Sequence, residues 1–344
     1  MDHVGVVGAG VAGCAAAYAL ADADRAIDVT VLEATDRVGG RAASRTRGEY
    51  VYDHGANYVK SDDERVASLL TEALDSTGLV DVTEPIYTFD ASGSVSPGRD
   101  TDDHKWTYES GLRTLSHRLL DPTDATIHFE TPVVRPERRD DGWLAHARSG
   151  AEYGPFDALV LTPPAPATGR LLAEADWDAD RREALAAALG AVDYRTIFSA
   201  VLGYDFPLDR PYYGLVNTDK AHDVGWLSRE ECKRGHVPDG ETVLVVQASH
   251  DWSVAHAGDD SATNAEVLAE KAATIVGEER LERPDWTDAR LWDVALPDGG
   301  LDPSLVDGAR EHDCCLAGDA VAGEGRIHAA LASGLRVGNR LAER

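Results

Sequence analysis

The chain has 344 residues, more than a single hydrophobic core usually supports, so its length predicts two domains around a shared cleft. With 33 basic and 61 acidic residues it carries a formal net charge of -28, which disfavours nucleic acid and anionic membranes as partners. Only five of the basic residues are lysine and 28 are arginine, a bias that suggests a salt-loving host; an ordinary acidic protein is the alternative.

No targeting or metal-binding pattern is evident. The start MDHVGVV has no basic leader before its apolar run, and no apolar stretch approaches the roughly 20 residues of a membrane span, so we expect a soluble cytoplasmic protein. The cysteines, Cys14, Cys232, Cys314 and Cys315, form no CxxC or Cys/His spacing. We expect them to be small apolar filler and expect no metal.

The amino-terminal elements predict a βαβ unit: a β-branched strand at 4–7, a helix at 11–23 and a strand at 28–34 that ends in an acid. The later predicted elements, in chain order, are an amphipathic helix from Asp62 stopped by a glycine, alternating strands from Val80 to Asp100, a helix at 109–120, three short strands between 126 and 148, an apolar strand at 157–162, strands near 194–204 and 242–249, and a helix near 260–276.

The turn GAGVAG follows the first strand and opens the first helix. Its residues Gly8, Gly10 and Gly13 match GxGxxG, and Glu33 ends the second strand. In such a turn the glycines permit a tight bend, close approach of a pyrophosphate to the helix N-terminus and close helix packing, while the acid accepts hydrogen bonds from a ribose. The pattern predicts dinucleotide binding; a glycine turn needed only for packing leaves Glu33 unexplained.

A second glycine pair with an arginine follows Glu33 in ATDRVGGRAAS. An FAD site needs such a second turn, because its extended cofactor runs past it, whereas a simple NAD dehydrogenase does not. The stretches GAGVAG, LEATDRVGGRAAS, DHGANYV and AGDAVAGEGRIHAALASG resemble, in order, the landmarks of the flavin-dependent amine oxidase superfamily, and most closely its renalase-like branch. The resemblance is specific over roughly the first 60 and last 30 residues.

The resemblance implies FAD as the cofactor and assigns its contacts. The residues expected at the pyrophosphate and the adenosine are Gly8, Gly10, Val11, Ala12, Gly13, Glu33, Ala34 and Val133. Those expected along the phosphates and ribityl chain and beside the flavin ring are Gly39, Gly40, Arg41, Gly55, Ala56, Asn57, Gly318, Asp319, Arg326, Ile327, His328 and Ala329.

The carboxyl-terminal motif places a helix after a glycine-rich turn. Asp319 is expected to bond the ribityl or phosphate portion, and the start of the last helix is expected to face the pyrimidine edge of the flavin. A helix N-terminus carries about half a positive charge, so it would favour the anionic reduced flavin. The alternative is a surface glycine loop with a terminal helix.

The expected fold is α/β: a Rossmann-like FAD-binding domain with a parallel sheet and a β-meander, plus a smaller α+β substrate or cap domain. The domains are expected to be discontinuous. The FAD-binding domain comprises 1–60, 105–165 and 285–344, and the cap comprises 61–104 and 166–284.

The sequence departs from the amine oxidases in its carboxyl-terminal third. Those enzymes flank the flavin with an aromatic cage and a lysine, whereas here no Tyr or Phe follows Tyr213. Lys271 lies on a predicted amphipathic helix and is expected to be solvated. Oxidation of simple amines is thereby put in doubt.

The catalytic candidates are Asn57, His328 and Trp292. Trp292 is expected to wall the pocket, with an ordinary core tryptophan as the alternative. His54 and His328 neighbour expected flavin contacts and are candidates for tuning a proton, although most lone histidines have no such role.

The expected function is an FAD-dependent oxidoreductase that accepts hydride at the flavin N5, with reoxidation by O2 or another acceptor. The renalase-like resemblance points to isomeric dihydronicotinamides as the small-molecule substrate. The alternatives are an amine oxidase, desaturase or isomerase on the same scaffold, and a non-enzymatic FAD-binding protein.

Overall fold

The computed structural model describes residues 2–60, 63–99 and 103–344. The strands in these ranges are β1 (His3–Val7), β2 (Asp28–Leu32), β3 (Ser44–Arg47), β4 (Tyr50–Asp53), β5 (Val59–Lys60), β6 (Leu79–Asp81), β7 (Ile86–Phe89), β8 (Val95–Ser96), β9 (Lys105–Tyr108), β10 (Thr126–His128), β11 (Val133–Arg139), β12 (Gly142–Ala147), β13 (Glu152–Phe156), β14 (Ala158–Leu161), β15 (Tyr194–Tyr204), β16 (Gly214–Asn217), β17 (Val224–Arg229), β18 (Thr242–Ala248), β19 (Trp286–Pro297) and β20 (Cys314–Leu316).

The helices are α1 (Val11–Ala21), α2 (Glu64–Ser68), α3 (Thr114–Leu120), α4 (Ala165–Ala173), α5 (Ala179–Gly190), α6 (His250–Ala255), α7 (Ser261–Val276), α8 (Pro303–Arg310), α9 (Asp319–Ala322) and α10 (Ile327–Ala342). A π-helical turn at Leu69–Ala73 and two 3-10 turns, at Glu230–Cys232 and Glu279–Glu282, complete the helical segments of the described ranges.

A parallel sheet contains both ends of the chain. Its strand order is β10-β2-β1-β14-β20, and every neighbouring pair is parallel. Such strands are buried on both faces, which explains their nearly continuous apolar runs. Because parallel strands end at the same edge, the turn after β1 and the turn after β20 lie at one edge of the sheet.

The first and last helices pack directly against each other at glycines. A Cβ on Gly334 would lie 2.1 Å from the carbonyl oxygen of Ala12, and one on Gly338 would lie 2.5 Å from that of Ala16. No side chain fits at either position, so α10 approaches the backbone of α1 closely. The two ends of the sequence therefore form one layer on the parallel sheet.

The other face of the parallel sheet is covered by an antiparallel meander, β11-β12-β13, and by α4, α5 and α8. The meander has a buried Trp143 whose indole donates a hydrogen bond to the carbonyl of His312 at 3.0 Å. The predicted α/β class, with a Rossmann-like parallel sheet and a β-meander, is confirmed.

The second large sheet has the order β19-β15-β18-β17-β16-β7-β8 and is antiparallel except between β16 and β7. One face packs on α7, which makes this the smaller α+β unit. The strand β19 is hydrogen-bonded to β15 along most of its length, although the predicted division groups residues 285–297 with the FAD-binding segments. The two small sheets are β3-β4 and β5-β9-β6.

Two predicted helices are shorter than expected. Asp62, the predicted start of one, lies outside the described residues, as does Asp100, the predicted end of the strand region. The described helix begins after the cap Asp63, whose side chain accepts a hydrogen bond from the Arg65 N–H, and its π-helical continuation ends at Ala73. The helix predicted at 109–120 begins only at Thr114, because Gly111 has a φ of 88° that ends the preceding strand in a turn.

All four cysteines are free thiols. Three of them are buried and Cys232 is half-buried, as small apolar filler would be. Of the helices in the described ranges, none combines the length and apolarity needed to cross a membrane.

Candidate functional site

The glycine turn after β1 has free space beside one of its glycines. A Cβ on Gly13 would lie 2.0 Å from the carbonyl oxygen of Gly8, so glycine is required there for the turn to close on the helix. A Cβ on Gly10 would meet no atom within 4 Å. Val11 and Ala12 continue the turn as the buried first residues of α1. Space beside Gly10 at a helix N-terminus is what the predicted pyrophosphate contact requires.

Glu33 also supports the turn. Its carboxylate accepts hydrogen bonds from the N–H of Ala9 at 2.7 Å and from the N–H and hydroxyl of Thr35 at 2.9 and 2.8 Å. Each carboxylate oxygen can accept more than one hydrogen bond, so Glu33 retains acceptor capacity for the predicted ribose contact. Ala34 is exposed next to it. Glu33 therefore ties the glycine turn to the end of β2, a role that the motif did not reveal.

The predicted adenine contact lies at the same edge. The N–H of Thr131 donates to the carbonyl of Glu33 at 2.8 Å, and Val133 follows two residues later as the half-buried first residue of β11.

The second glycine pair packs against the first turn. The N–H of Gly39 donates to the carbonyl of Ala9 at 2.8 Å, and a Cβ on Gly40 would lie 3.3 Å from the Cα of Gly10. Next to it, Arg41 donates two hydrogen bonds to Asp319, at 2.7 and 2.9 Å. The fold therefore brings together the amino-terminal and carboxyl-terminal motifs.

The carboxyl-terminal motif runs from a buried turn to a helix start. The N–H of Gly318 donates to the Ser333 hydroxyl at 3.2 Å, which fixes the turn against α10. Arg326 is the exposed residue before α10, and Ile327 and Ala329 lie half-buried in its first turn. The remaining predicted residue of this motif, His328, is buried, with its Nε2 3.7 Å from a carboxylate oxygen of Glu324.

Three strands of the seven-stranded sheet hold residues 54–57, the segment made of His54 and the three residues predicted to lie beside the flavin ring, Gly55, Ala56 and Asn57. The Trp292 indole of β19 donates to the carbonyl of His54 at 2.9 Å, and the Gln247 amide of β18 donates to the carbonyl of Gly55 at 2.7 Å. The Ser228 hydroxyl of β17 donates to Oδ1 of Asn57 at 3.3 Å.

These bonds tie the segment to the seven-stranded sheet at the predicted flavin position. Ala56 lies half-buried within the segment, and its N–H donates to the carbonyl of Arg41 at 3.0 Å. Sequence reasoning missed Gln247 and Ser228, because each is one polar residue in an ordinary strand.

Three buried polar atoms around this segment have no hydrogen-bond partner among the residues that the structure describes: Nδ1 of His54, Oγ of Ser199 and Nε1 of Trp226. Ser199 is in register with Gln247 on the neighbouring strand. Buried polar groups are nearly always hydrogen-bonded in native proteins, so unpaired atoms grouped at one place indicate a polar ligand. Together with the open space at Gly10, they fit a cofactor that runs from the glycine turn to residues 54–57.

His54 is held as a neutral ring. It stacks on Trp292 with 5.6 Å between ring centroids. Burial, followed by the nearby Arg45 guanidinium, lowers the pKa of His54 from 6.5 to about 4. At neutral pH the ring therefore carries no charge and its unpaired Nδ1 can donate or accept one hydrogen bond.

A buried charge cluster lies next to residues 54–57 and consists of Asp53, Glu230, Lys233 and His236. The Lys233 ammonium lies 2.8 Å from a carboxylate oxygen of Asp53 and 2.8 Å from one of Glu230. All three side chains are completely buried. Burial lowers the pKa of Lys233, but the two carboxylates raise it more, so its net direction is upward.

His236 links the cluster to the strand β9. Its Nε2 lies 2.9 Å from the carbonyl oxygen of Tyr108 and its Nδ1 lies 3.0 Å from a carboxylate oxygen of Glu230. The buried ring therefore bridges the cluster and the backbone of the neighbouring sheet.

The sequence predicts no metal, but ligand atoms of Asp53, Glu230 and His236 lie within 4.8 Å of one another. The Lys233 ammonium lies against both carboxylates, so a cation from the chain itself is bound there. Lys233 is the lysine that sequence reasoning overlooked. Lys271, which it discussed, forms an ion pair with Asp223 at 2.8 Å on the surface, as expected of a solvated residue.

Aromatic rings also gather next to Asn57. The ring centroids of Tyr58, Tyr213 and Trp226 lie 6.1 to 6.3 Å apart. The sequence predicts a site without aromatic residues from the carboxyl-terminal third, apart from Trp292. The structure supplies these rings from earlier parts of the chain.

Comparison with known families gives two matches. Residues 6–73 match the NAD(P)-binding Rossmann-like domain, and residues 99–342, more than half of the chain, match the flavin containing amine oxidoreductase family.

Among curated proteins, protoporphyrinogen oxidase 2 of Arabidopsis thaliana is 46% identical over 70 residues, which are 20% of this chain and 13% of the relative. Amine oxidase A of Canis lupus familiaris, a flavin-containing protein, is 37% identical over 138 residues, which are 40% of this chain and 25% of the relative. The matched segments thus span a quarter or less of these relatives.

Solved structures share the fold over nearly the whole chain. A protein assigned as a protoporphyrinogen oxidase from Exiguobacterium sp. 255-15 is 16% identical with a TM-score of 0.78, covering 99% of this chain and 98% of that one. Cyclohexylamine oxidase from Brevibacterium oxydans is 13% identical with a TM-score of 0.74, covering 99% of each chain.

Proposed function

The chain belongs to the flavin-containing amine oxidoreductase family and its cofactor is FAD, and from this premise we propose that it oxidises the uncharged ring of a dihydronicotinamide at the sheet face that bonds to residues 54–57. The observation that carries this proposal is the set of neutral donors on that face. Gln247, Ser228 and Trp292 supply amide, hydroxyl and indole groups, and each is bonded to the 54–57 segment.

Two carboxylates around this segment are already paired. Glu230 is paired with Lys233, and Asp288 accepts hydrogen bonds from Arg45 at 2.6 and 2.7 Å. A cationic substrate would therefore find no free carboxylate on these two residues. Trp292 and Ser228 already donate their single hydrogens to the segment, so an amide-bearing ring would bond to the second amide N–H and the side-chain oxygen of Gln247. This favours the renalase-like interpretation.

When bound, FAD supplies the hydride-accepting centre. The chain's own residues would orient it: the first turn of α1 at the pyrophosphate, Glu33 at the ribose, and Arg41 with Asp319 along the phosphates and ribityl chain. The N-terminus of α10, at residues 326–329, would place unpaired N–H groups and a partial positive charge at the pyrimidine edge. Asn57 and His328 would position the substrate amide, and Trp292 would exclude water.

Amine oxidation is the second candidate, and the cluster of Tyr58, Tyr213 and Trp226 favours it. Aromatic faces attract cationic and partly positive amine groups. Tyr58 directly follows Asn57 and packs on the other two rings, so the cluster would supply the aromatic wall for an amine.

Anaerobic stopped-flow reduction tests the two candidates. FAD-loaded protein is mixed separately with dihydronicotinamide isomers, monoamines and polyenes, and loss of the flavin visible absorbance is followed. We expect rapid bleaching by at least one dihydronicotinamide isomer. Rapid bleaching by a monoamine or polyene, with none by any dihydronicotinamide, would overturn the substrate proposal while leaving the FAD assignment in place.

Retention of the cofactor tests the assigned contacts. FAD is expected to be bound without a covalent link, so acid precipitation should release the yellow colour from the pellet. Glu33→Ala and Asp319→Ala each remove charge-assisted hydrogen bonds of roughly 1.5 to 3 kcal/mol and should lose flavin about tenfold more readily. Lys271→Ala serves as the control. Wild-type occupancy of both carboxylate variants after gel filtration would contradict the assigned roles.

A further inference from the structure

A cavity of about 470 Å³ lies on the outer side of the second glycine turn. We call it the arginine cleft; the residues that line it are Arg37, Ser44, Arg45, Thr46, Ser110, Arg113, Thr114 and His117. Four of these eight are basic and the other four carry hydroxyl groups. Acidic residues outnumber basic ones 61 to 33 in the whole chain, so a lining without a carboxylate is a strong local reversal of charge.

The positive charge of the cleft is only partly balanced. Arg37 is paired with Asp36 at 2.6 Å and Arg45 with Asp288 at 2.6 Å, both carboxylates lying outside the lining. Arg113 has no ion pair among the described residues, and its Nε is buried without a hydrogen-bond partner. Its guanidinium is therefore the uncompensated charge of the cleft.

Arg113 is also held in an unfavourable place for a cation. Burial, followed by the charge of Arg37, lowers the pKa of Arg113. Its backbone is fixed, because its N–H donates to the Ser44 hydroxyl at 3.1 Å. An anion in the cleft would offset the desolvation cost of the Arg113 guanidinium. It would also reduce the repulsion between the guanidinium groups of Arg113 and Arg37.

The cleft is separate from the FAD contacts. None of its lining residues belongs to the predicted FAD set, and Gly39 lies between the two sites. On one side the N–H of Gly39 is bonded to Ala9 in the first glycine turn, and on the other a Cβ on Gly39 would lie 3.1 Å from Cγ of Arg113. The two sites thus share a backbone turn but no side chain.

We propose that the arginine cleft binds a small phosphorylated compound, with Arg113 as its principal anchor. Guanidinium groups match phosphate oxygens with paired hydrogen bonds, and the hydroxyl groups of Thr46, Ser110 and Thr114 add further donors. The cavity volume falls within the roughly 300–1,000 Å³ of small-molecule sites and exceeds what a single inorganic ion needs. The ligand class is a phosphate ester or a pyrophosphate.

Thermal unfolding of the FAD-loaded protein tests this proposal. Inorganic pyrophosphate and ribose 5-phosphate are titrated separately, with KCl at equal ionic strength as the reference, because salt alone affects so acidic a protein. FAD saturation keeps both probes out of the cofactor site. We expect a saturable rise in melting temperature with at least one probe. The probe that binds more tightly identifies the source as pyrophosphate or phosphate ester.

Variants assign the effect to the cleft. Arg113→Gln should weaken binding about tenfold or more, and Arg113→Lys should weaken it less, since the charge is kept and the paired geometry is lost. Arg170→Gln removes an exposed arginine outside the cleft and should bind as wild type does. If Arg113→Gln fails to fold, the exposed Arg37→Gln replaces it, with several-fold weaker binding expected. No saturable response, or an equal response in the cleft variants, would overturn the proposal.

Discussion

Ser44 lies between the buried charge cluster and the arginine cleft, two regions that differ in how their cations are balanced. Its hydroxyl donates to Asp53 of the buried charge cluster at 2.6 Å and accepts from the N–H of Arg113 in the arginine cleft at 3.1 Å. On one side Lys233 is completely buried with two carboxylates. On the other, Arg113 is half-buried and has none among the described residues. A cation balanced within the chain is part of the structure, whereas an unbalanced one beside a cavity indicates a ligand.

The cluster also connects distant parts of the chain. The Asp53 carboxylate accepts hydrogen bonds from the Ser44 and Thr107 hydroxyls at 2.6 and 3.2 Å and from the N–H of Leu112 at 2.8 Å. Its own N–H donates to Glu230 at 3.0 Å. These contacts fix the residue that directly precedes the 54–57 segment, so the cluster holds the start of that segment in place.

The largest effect is expected from Lys233→Met. Removing the ammonium leaves the buried carboxylates of Asp53 and Glu230 without their cation, and breaking a buried pair in this way costs about 3–5 kcal/mol of the free energy of unfolding. Denaturant unfolding of the FAD-loaded protein measures it, with Lys271→Met, at a half-buried surface lysine paired with one carboxylate, as the control. The double variant Asp53→Asn, Lys233→Met should recover part of the loss. A Lys233→Met variant as stable as the control would show that the cluster is dispensable.

The distance along the chain between interacting residues determines which features of the site could be predicted from the sequence. The glycine turns, Glu33 and the Gly318–Asp319 pair are local patterns whose spacing reflects one turn of backbone, so they could be predicted. Lys233 meets Asp53 across 180 positions, and Gln247 meets Gly55 across 192. These partners have no local signal, because only the packing of one sheet on the other brings them together.

The arginine cleft could not be predicted for a related reason. Arg37, Arg45 and Arg113 are three of 28 arginines, and Arg113 lies on a different element from the other two. What distinguishes Arg113 is that its guanidinium forms no ion pair among the described residues, a property of the fold. The shortened helix at 109–120 has a local cause, Gly111, but the positive φ that glycine adopts there is visible only in the structure.

A second, smaller effect is expected from His54, which lies between the two regions. Its pKa is lowered from 6.5 to about 4, so the unfolded chain binds the additional proton and stability falls as the pH drops through this window. The loss amounts to about 3 kcal/mol at most. Replacing the ring by His54→Gln should flatten the dependence of melting temperature on pH between about 6.5 and 4. An unchanged dependence would mean that other groups dominate acid unfolding.

The same histidine reports on the cleft. Arg45 and Arg113 both lower the pKa of His54, so an anion bound between these cations should raise it. NMR titration of the His54 ring, with and without saturating pyrophosphate, measures the change. Arg113→Gln should raise the pKa without ligand and remove the response to pyrophosphate. An equal response in wild type and variant would place the anion elsewhere.

The smallest effect is expected from Arg113→Met without phosphate present. Removing a charge that is balanced inside the protein costs stability. Arg113, however, is half-buried, unpaired among the described residues and repelled by Arg37. Its loss should therefore change the free energy of unfolding by no more than about 1 kcal/mol, in either direction. Denaturant unfolding in phosphate-free buffer measures this change next to Lys233→Met. A loss of several kcal/mol would mean that Arg113 already has a structural role, and would remove the contrast on which the ligand site is argued.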